Sequence, residues 1–244
     1  MTEFSDEGIV LRVEDRDTSD KYVTCFSRNH GRVRFVAYGA RYQKSVAGRI
    51  LQPFAHLNLE LQTGNLIDKL RSCELQSLPV KYDFKQMAYA AVVTELTEVF
   101  TADHEPEEQL FLLLQEILRL INKRNPRLVT LLYTVKLLAS TGFRPQMDEC
   151  VLCHKGWADE TKMFFSALQG GVLCEQCGKD EELMFGKGAR ELYYSLAKFE
   201  LDKPTEFSVQ GSDLMQLEKA LLKFIVFQTD KPLKSLAYLS QIGL

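Results

Sequence analysis

Two Cys-x2-Cys knuckles separated by 20 residues, Cys150/Cys153 and Cys174/Cys177, constrain this chain more than any other feature. Each knuckle turns two sulfurs toward one point, and two knuckles complete a tetrahedral thiolate shell of the kind that holds one structural zinc ion. Four protein ligands leave no open position for water or substrate, so a metal there staples a subdomain and takes no part in turnover. A disulfide pair is the weaker reading in a cytosolic chain, and a thioredoxin-type pair needs one Cys-x2-Cys on a βαβ unit that is absent here. Zinc with four thiolates carries about −2, which Lys155, Lys162 and Lys179 partly offset. His154 reads as a solvated loop residue beside a ligand. Cys25 and Cys73 read as small apolar residues in strands.

Around that staple the apolar periodicity changes once. Residues 8–13, 22–27, 32–38, 54–61 and 70–75 are short runs rich in Val, Ile, Leu, Phe and Tyr, separated by turn chemistry such as Arg28-Asn29-His30-Gly31 and Thr63-Gly64-Asn65. Five short strands in about 80 residues suit a small closed barrel, and the long third-to-fourth connection, with Gly39 and Gly48, favours an OB-fold over an SH3-like barrel. From Asp83 the period becomes helical. Leu110, Leu113, Leu114, Ile117, Leu118 and Ile121 follow the i, i+3, i+4 rule behind Pro106, Glu107 and Glu108. Leu128, Leu131, Leu132, Val135 and Leu138 form a second stripe, closed by Gly142 and Pro145. Residues 84–100 make a less regular third helix, and 188–199 and 212–227 two more. The expected class is α+β and multidomain: a nucleic-acid-binding OB-fold over residues 1–80, then a helical domain over 81–244 interrupted by a zinc-binding subdomain at 147–180.

Composition enters through charge. With 45% hydrophobic and 26% charged residues the chain has the makings of a folded, soluble protein. The longest near-apolar run, residues 110–114, falls far short of the ~20 residues a membrane helix needs, and the acidic first 20 residues do not resemble a signal peptide, so no membrane partner and a cytoplasmic location are expected. The net charge of −3 conceals a strong segregation. Residues 21–59 hold Lys21, Arg28, Arg32, Arg34, Arg41, Lys44 and Arg49 and no acid, with Tyr22, Phe26, Phe35, Tyr38, Tyr42 and Phe54 interleaved. On an OB-type barrel such a face presents cations to phosphates. The plainer reading is a solvated face over an aromatic core, with Phe26 and Phe35 in that core. No phosphate loop, zinc-protease helix, nucleophile elbow or dinucleotide fingerprint is present, and the four histidines are scattered, so an enzyme is not expected.

Several motifs then coincide. Residues 36–45 (Val-Ala-Tyr-Gly-Ala-Arg-Tyr-Gln-Lys-Ser), Gly142-Phe143-Arg144-Pro145 running into the first knuckle, Gly170-Gly171-Val172-Leu173 before the second, and Pro232-Leu233-Lys234-Ser235 near the end resemble the bacterial RecO recombination mediator family. Tyr42 stands where that family commonly carries another basic residue. The resemblance implies an N-terminal OB-fold, a helical domain with a zinc-binding insertion, and no turnover. It further implies binding of single- and double-stranded DNA, annealing of complementary strands, and, with RecR, loading of RecA onto DNA coated by single-strand-binding protein, whose acidic tail is also contacted. An acidic tail needs a basic rim around an apolar pocket, and Leu217, Leu221, Lys219 and Lys223 with Arg190, Lys198, Lys231 and Lys234 are the best supply of both. The alternative, leucines to the core and lysines to water, stays open. So do two other functions, an OB-fold protein that binds RNA and a scaffold whose basic face docks an acidic protein.

Overall fold

The computed structural model describes residues 2–16, 19–77, 81–157, 162–178, 183–201 and 209–241. Five strands, β1 (Glu3–Arg16), β2 (Asp20–Ser27), β3 (Gly31–Ala37), β4 (His56–Gln62) and β5 (Asp68–Ser77), close into a barrel in the order β1-β2-β3-β5-β4, with β4 returning to β1. All pairings are antiparallel except the short β3–β5 contact that closes the barrel at Phe35 and Val36. This is the OB arrangement, and it displaces the SH3-like rival. A short helix, α1 (Val46–Ile50), occupies the β3–β4 connection, where the sequence suggests only a loop. Ser45 caps it by accepting a hydrogen bond from Gly48 N–H.

The barrel core is built by period-2 alternation. Val23 and Cys25, Val33, Phe35 and Ala37, and Leu57, Leu59 and Leu61 point inward and are buried, while the residues between them on β4, Asn58 and Glu60, face solvent. Strand β1 is longer than its apolar run because it has two partners: its first half pairs with β4 and its second half with β2. Pairing and closure hold acid-rich sequence in strand that local propensity would leave as turn.

One carboxylate ties β1 to the β2–β3 turn. The Asp6 side chain is 1% exposed and accepts from Asn29 N–H (3.0 Å), the Asn29 amide (2.8 Å) and His30 Nδ1 (2.7 Å). The turn ends at Gly31, whose φ of 64° favours glycine and where a Cβ would stand 2.1 Å from the Glu105 carbonyl oxygen.

Three helices follow: α2 (Phe84–Phe100), α3 (Glu108–Ile121) and α4 (Pro126–Ser140). Asp83 and Gln86 form a reciprocal capping box at the start of α2. That helix buries residues around most of its circumference, which is why its apolar pattern shows no single stripe. Helix α3 buries the expected stripe and brings Phe111 against Phe26 and His56 of the barrel, with ring centroids 6.5 and 6.0 Å apart. Asn125 caps α4 through Arg127 and Leu128 N–H, and Gly142 (φ 82°) ends it, with Phe143 N–H donating to Leu138 O.

The chain forms two compact units, Met1–Thr130 with Tyr238–Leu244, and Leu131–Ala237. Helices α2 and α3 thus share a unit with the barrel, whereas a division by element type places the boundary near residue 80. The second unit holds a three-stranded sheet in the order β7-β6-β8, made of β6 (Met163–Ser166), β7 (Gly171–Cys174) and β8 (Leu183–Met184), together with α5 (Lys187–Lys198) and α6 (Gly211–Thr229). A last helix, α7 (Lys234–Gln241), has no counterpart in the sequence reading. Leu217, Ala220, Leu221, Phe224 and Ile225 form the buried face of α6, and Phe165 packs edge-on to Phe224 at 6.3 Å.

The Asp6 contacts set an acid limit for the barrel. Burial by itself raises the Asp6 carboxyl, but donors from His30, Asn29 and Ser27 outweigh it and hold the group below the ordinary carboxylate range. A depressed native pKa contributes stability above the unfolded value near 4 that is lost as pH falls through the folded value. Asp6→Ala is expected to lower unfolding free energy at pH 7 by about 2–4 kcal/mol and to flatten the acid limb of a stability–pH curve. Denaturant titrations from pH 3 to 7 measure both; an unchanged acid limb overturns the assignment.

Candidate metal centre and basic surface

Strand β7 ends at Cys174, and the turn behind it returns Cys177, with Cys177 N–H and Gly178 N–H donating to Cys174 O at 3.1 and 2.8 Å. The first knuckle is closed by Cys150 N–H on Lys155 O (3.0 Å) and His154 N–H on Cys150 O (2.9 Å), and Val151 N–H on Val172 O (3.0 Å) ties it to the sheet. The four Sγ atoms therefore lie within 4.8 Å of one another, those of Cys153 and Cys174 at 3.7 Å. Sulfurs about 2.3 Å from a tetrahedral centre stand roughly 3.8 Å apart, so the donor set fits one cation.

The electrostatics point the same way. Burial raises the Cys150 thiol, yet the backbone N–H groups of Cys153, Cys174 and Leu152 draw it down to about 6. Cys177 is pushed up to about 12, first by its contacts with the sulfurs of Cys153 and Cys174. One thiolate forms easily and Cys153 and Cys177 then resist ionisation; a cation at the centre relieves that repulsion. The cluster can hold a metal ion. His154 stays outside it, exposed and 2.7 Å from Glu149. Lys162 pairs with Glu175 at 3.2 Å, and Lys179 lies outside the described residues. Cys25 is buried in the barrel core, where burial pushes its thiol up, and Cys73, at the barrel edge, is raised to about 11 by the same cause.

The seven cations of residues 21–59 divide into two groups. Lys21 Nζ donates to Gly48 O (2.9 Å) and so ties α1 to β2. Arg28 meets Glu108 at 2.5 Å and Glu7 at 3.3 Å. Arg32 reaches Asp103 at 2.6 Å and the Glu98 carbonyl, and Arg34 also lies on Asp103. Partial burial raises Asp103, but Arg32 and Arg34 outweigh it and hold the carboxyl below its ordinary range. The acids that answer these arginines thus come largely from α3 and the loop before it, more than 60 residues away in sequence, while α2 supplies only the Glu98 backbone carbonyl. Sequence reasoning missed Asp103, which nothing local marks, and read Glu108 only as an acid in the first turn of a helix. The second group lies on the β3–α1 connection and α1 itself: Arg41, with Asp15 at 3.4 Å, and Lys44 and, in the last turn of α1, Arg49, which are exposed and form no ion pair among the described residues.

The residues expected around an acidic-tail pocket also separate. Leu217 and Leu221 are fully buried in the second unit, so they cannot line a surface pocket; the stripe that looks amphipathic in sequence is core. Arg190 donates to Met147 O (3.4 Å) and lies over the rings of Trp157 and Tyr194. Lys198, Lys219, Lys223, Lys231 and Lys234 are exposed, and α6 also exposes Met215, Val226 and Phe227. Among the described residues no helix is long and apolar enough to cross a membrane.

Comparison with known proteins gives a consistent result. Residues 1–78 match the family model described as Recombination protein O N terminal, and residues 81–237 that described as Recombination protein O C terminal. The chain is 32% identical over 240 residues to a DNA repair protein RecO of Desulforamulus reducens, covering 97% of this chain and 93% of the relative. It is 28% identical to that of Pelotomaculum thermopropionicum, covering 100% and 96%, and 30% identical to that of Bacillus cereus, covering 97% and 96%.

If the four sulfurs share one ion, its binding free energy is folding free energy for the surrounding segment. Cys150→Ser is expected to reduce bound metal from about one ion per chain to near zero and to expose the described parts of residues 147–178 to protease, with the barrel intact. Elemental analysis with limited proteolysis checks this; a variant with unchanged metal content and cleavage pattern refutes it.

Proposed function

Since the chain belongs to the Recombination protein O family, we propose that it is a non-enzymatic recombination mediator in DNA repair. In this reading it binds single- and double-stranded DNA without sequence preference and anneals complementary strands. With RecR it helps load RecA onto DNA coated by single-strand-binding protein. The observation that carries the DNA contact is the segment from β3 through α1, where Lys44 and Arg49 are exposed and without ion pairs among the described residues while the strand arginines are already occupied. Cations on a short, backbone-anchored loop meet phosphates without reading base edges, which lowers repulsion between two strands and holds neither tightly. Arg28 and Arg34, on partly exposed ion pairs, become available to phosphate only in exchange for Glu108 and Asp103.

The metal in this reading is one structural zinc ion, held by Cys150, Cys153, Cys174 and Cys177. Four thiolates and a closed shell suit zinc and leave no position for catalysis. The acidic tail of single-strand-binding protein would meet Lys219 and Lys223 with Val226 and Phe227, one exposed face of α6, and not the buried leucines.

The phosphate contact is measured by salt dependence. Each neutralised phosphate contributes about −0.7 to the slope of log affinity against log salt for a single strand. Lys44→Ala with Arg49→Ala is expected to weaken binding to oligonucleotides of unrelated sequence alike and to reduce that slope by about 1.4. Fluorescence anisotropy between about 50 and 200 mM salt reads this. An unchanged slope moves the DNA site off this loop.

A further inference from the structure

We propose that Tyr38 and Tyr42 form a stacking platform for unpaired nucleobases, which makes the β3–α1 connection selective for single strands. The inference rests on the DNA-binding reading above and adds a second kind of contact to it.

The six aromatic residues interleaved with the basic stretch do not share one fate. Phe26 and Phe35 are 0% exposed and belong to the core, Tyr22 lies under the Arg16 guanidinium at 4.9 Å, and Phe54 packs edge-on to Tyr82 at 5.8 Å. Tyr38 and Tyr42 are 64% and 66% exposed, and neither side chain has a hydrogen-bond or ring partner among the described residues. Neither side chain is needed to fill the barrel. Two exposed rings on one turn offer faces that a planar ligand can cover.

The backbone beneath the two rings is held in place. Gly39 N–H donates to the Asp20 carboxylate (2.9 Å) and Arg41 N–H to Ser19 O (2.9 Å). Tyr42 N–H donates to Gly39 O (3.2 Å) and Ser45 N–H to Tyr42 O (2.9 Å), leading directly into the Ser45 cap of α1. Gly39 takes a φ of 66°, and the Tyr42 ring lies over it, 3.3 Å from where a Cβ would stand. The rings therefore project from a turn whose backbone is already ordered, so a ligand that covers them does not have to order the loop first.

Their setting names the ligand. Arg41, Lys44 and Arg49 fall within a dozen residues of chain that also holds the two tyrosines, and Lys44 and Arg49 have no ion pairs among the described residues. Cations beside exposed aromatic faces match a strand whose backbone is anionic and whose bases are unpaired and planar. A duplex offers the same phosphates but hides its base faces in the stack. The phosphate contacts serve both forms of DNA, and the tyrosines serve only the single strand.

The test separates base from phosphate. Full-length protein is titrated with oligothymidylate, with an oligomer of the same length carrying abasic sites at its central positions, and with a duplex. The wild-type protein should bind the abasic oligomer about tenfold or more weakly than oligothymidylate, since stacked bases are lost and phosphates are not. Tyr38→Ala with Tyr42→Ala should lose about the same factor on oligothymidylate, stay within about twofold on duplex, keep the wild-type salt slope, and no longer distinguish the abasic oligomer. Tyr38→Phe with Tyr42→Phe should bind as wild type. A wild-type protein that binds both single strands equally overturns the platform while leaving the phosphate contact standing. So does an alanine variant that loses single strand and duplex alike. Wild-type protein that binds none of the three probes overturns the DNA-binding reading, and this inference with it.

Discussion

Like charges on one face of a β-barrel repel, and the first unit of this chain depends on where their counter-charges come from. Arg32 and Arg34 are two apart on β3 and project from the same side of the strand, with Arg28 close by at the β2–β3 turn. No acid within residues 21–59 can answer them. Asp103 bridges the first two, Glu108 and Glu7 hold the third, and Arg12 on β1 joins the same network through Glu98. These contacts are largely solvent-exposed and screened by salt, so their value lies less in net stability than in aligning α2 and α3 with the strands they pack on. The apolar contact of Phe111 with Phe26 supplies the adhesion, and the ion pairs set the register.

That division of labour shapes the surface left for a polyanion. Once the strand arginines are engaged, the positive field concentrates on the β3–α1 connection, where the backbone is tied down by Asp20, Ser19 and the Ser45 cap. Burial and ion pairing thus turn a long basic sequence into a short basic site. The same network offers acids as competitors for the arginines, so a polyanion reaches Arg28 and Arg34 only by displacing Glu108 and Asp103.

The second unit solves a different problem. Strands of four, four and two residues with a cluster of Cys150, Leu173 and Cys174 at the knuckles bury too little apolar surface to order that corner by themselves. The four sulfurs converge there, and Cys174 N–H donates to Cys150 Sγ at 3.4 Å, a backbone donor placed to hold a thiolate. Trp157 closes the cluster from one side, its indole N–H on Met147 O at 2.9 Å.

Local chemistry was enough to read the barrel strands, the α3 and α4 stripes with the Gly142 stop, and the four-cysteine cluster, because each depends on spacing within a few residues; the Asn125 cap of α4 emerged only in the structure. The extra length of β1, the α1 turn, the short strands around the knuckles and α7 were not legible, since their conformations are imposed by pairing partners and packing rather than by their own periodicity. Charge shows the contrast best. The sequence determined that seven cations lie in one acid-free stretch. Only the tertiary structure decided which of them are answered by Asp103 and Glu108 and which face solvent, and that Tyr38 and Tyr42 stay outside the core that takes Phe26 and Phe35. The reason is physical: ion pairing and burial depend on distance in space, and these partners are brought together across more than 60 residues of chain.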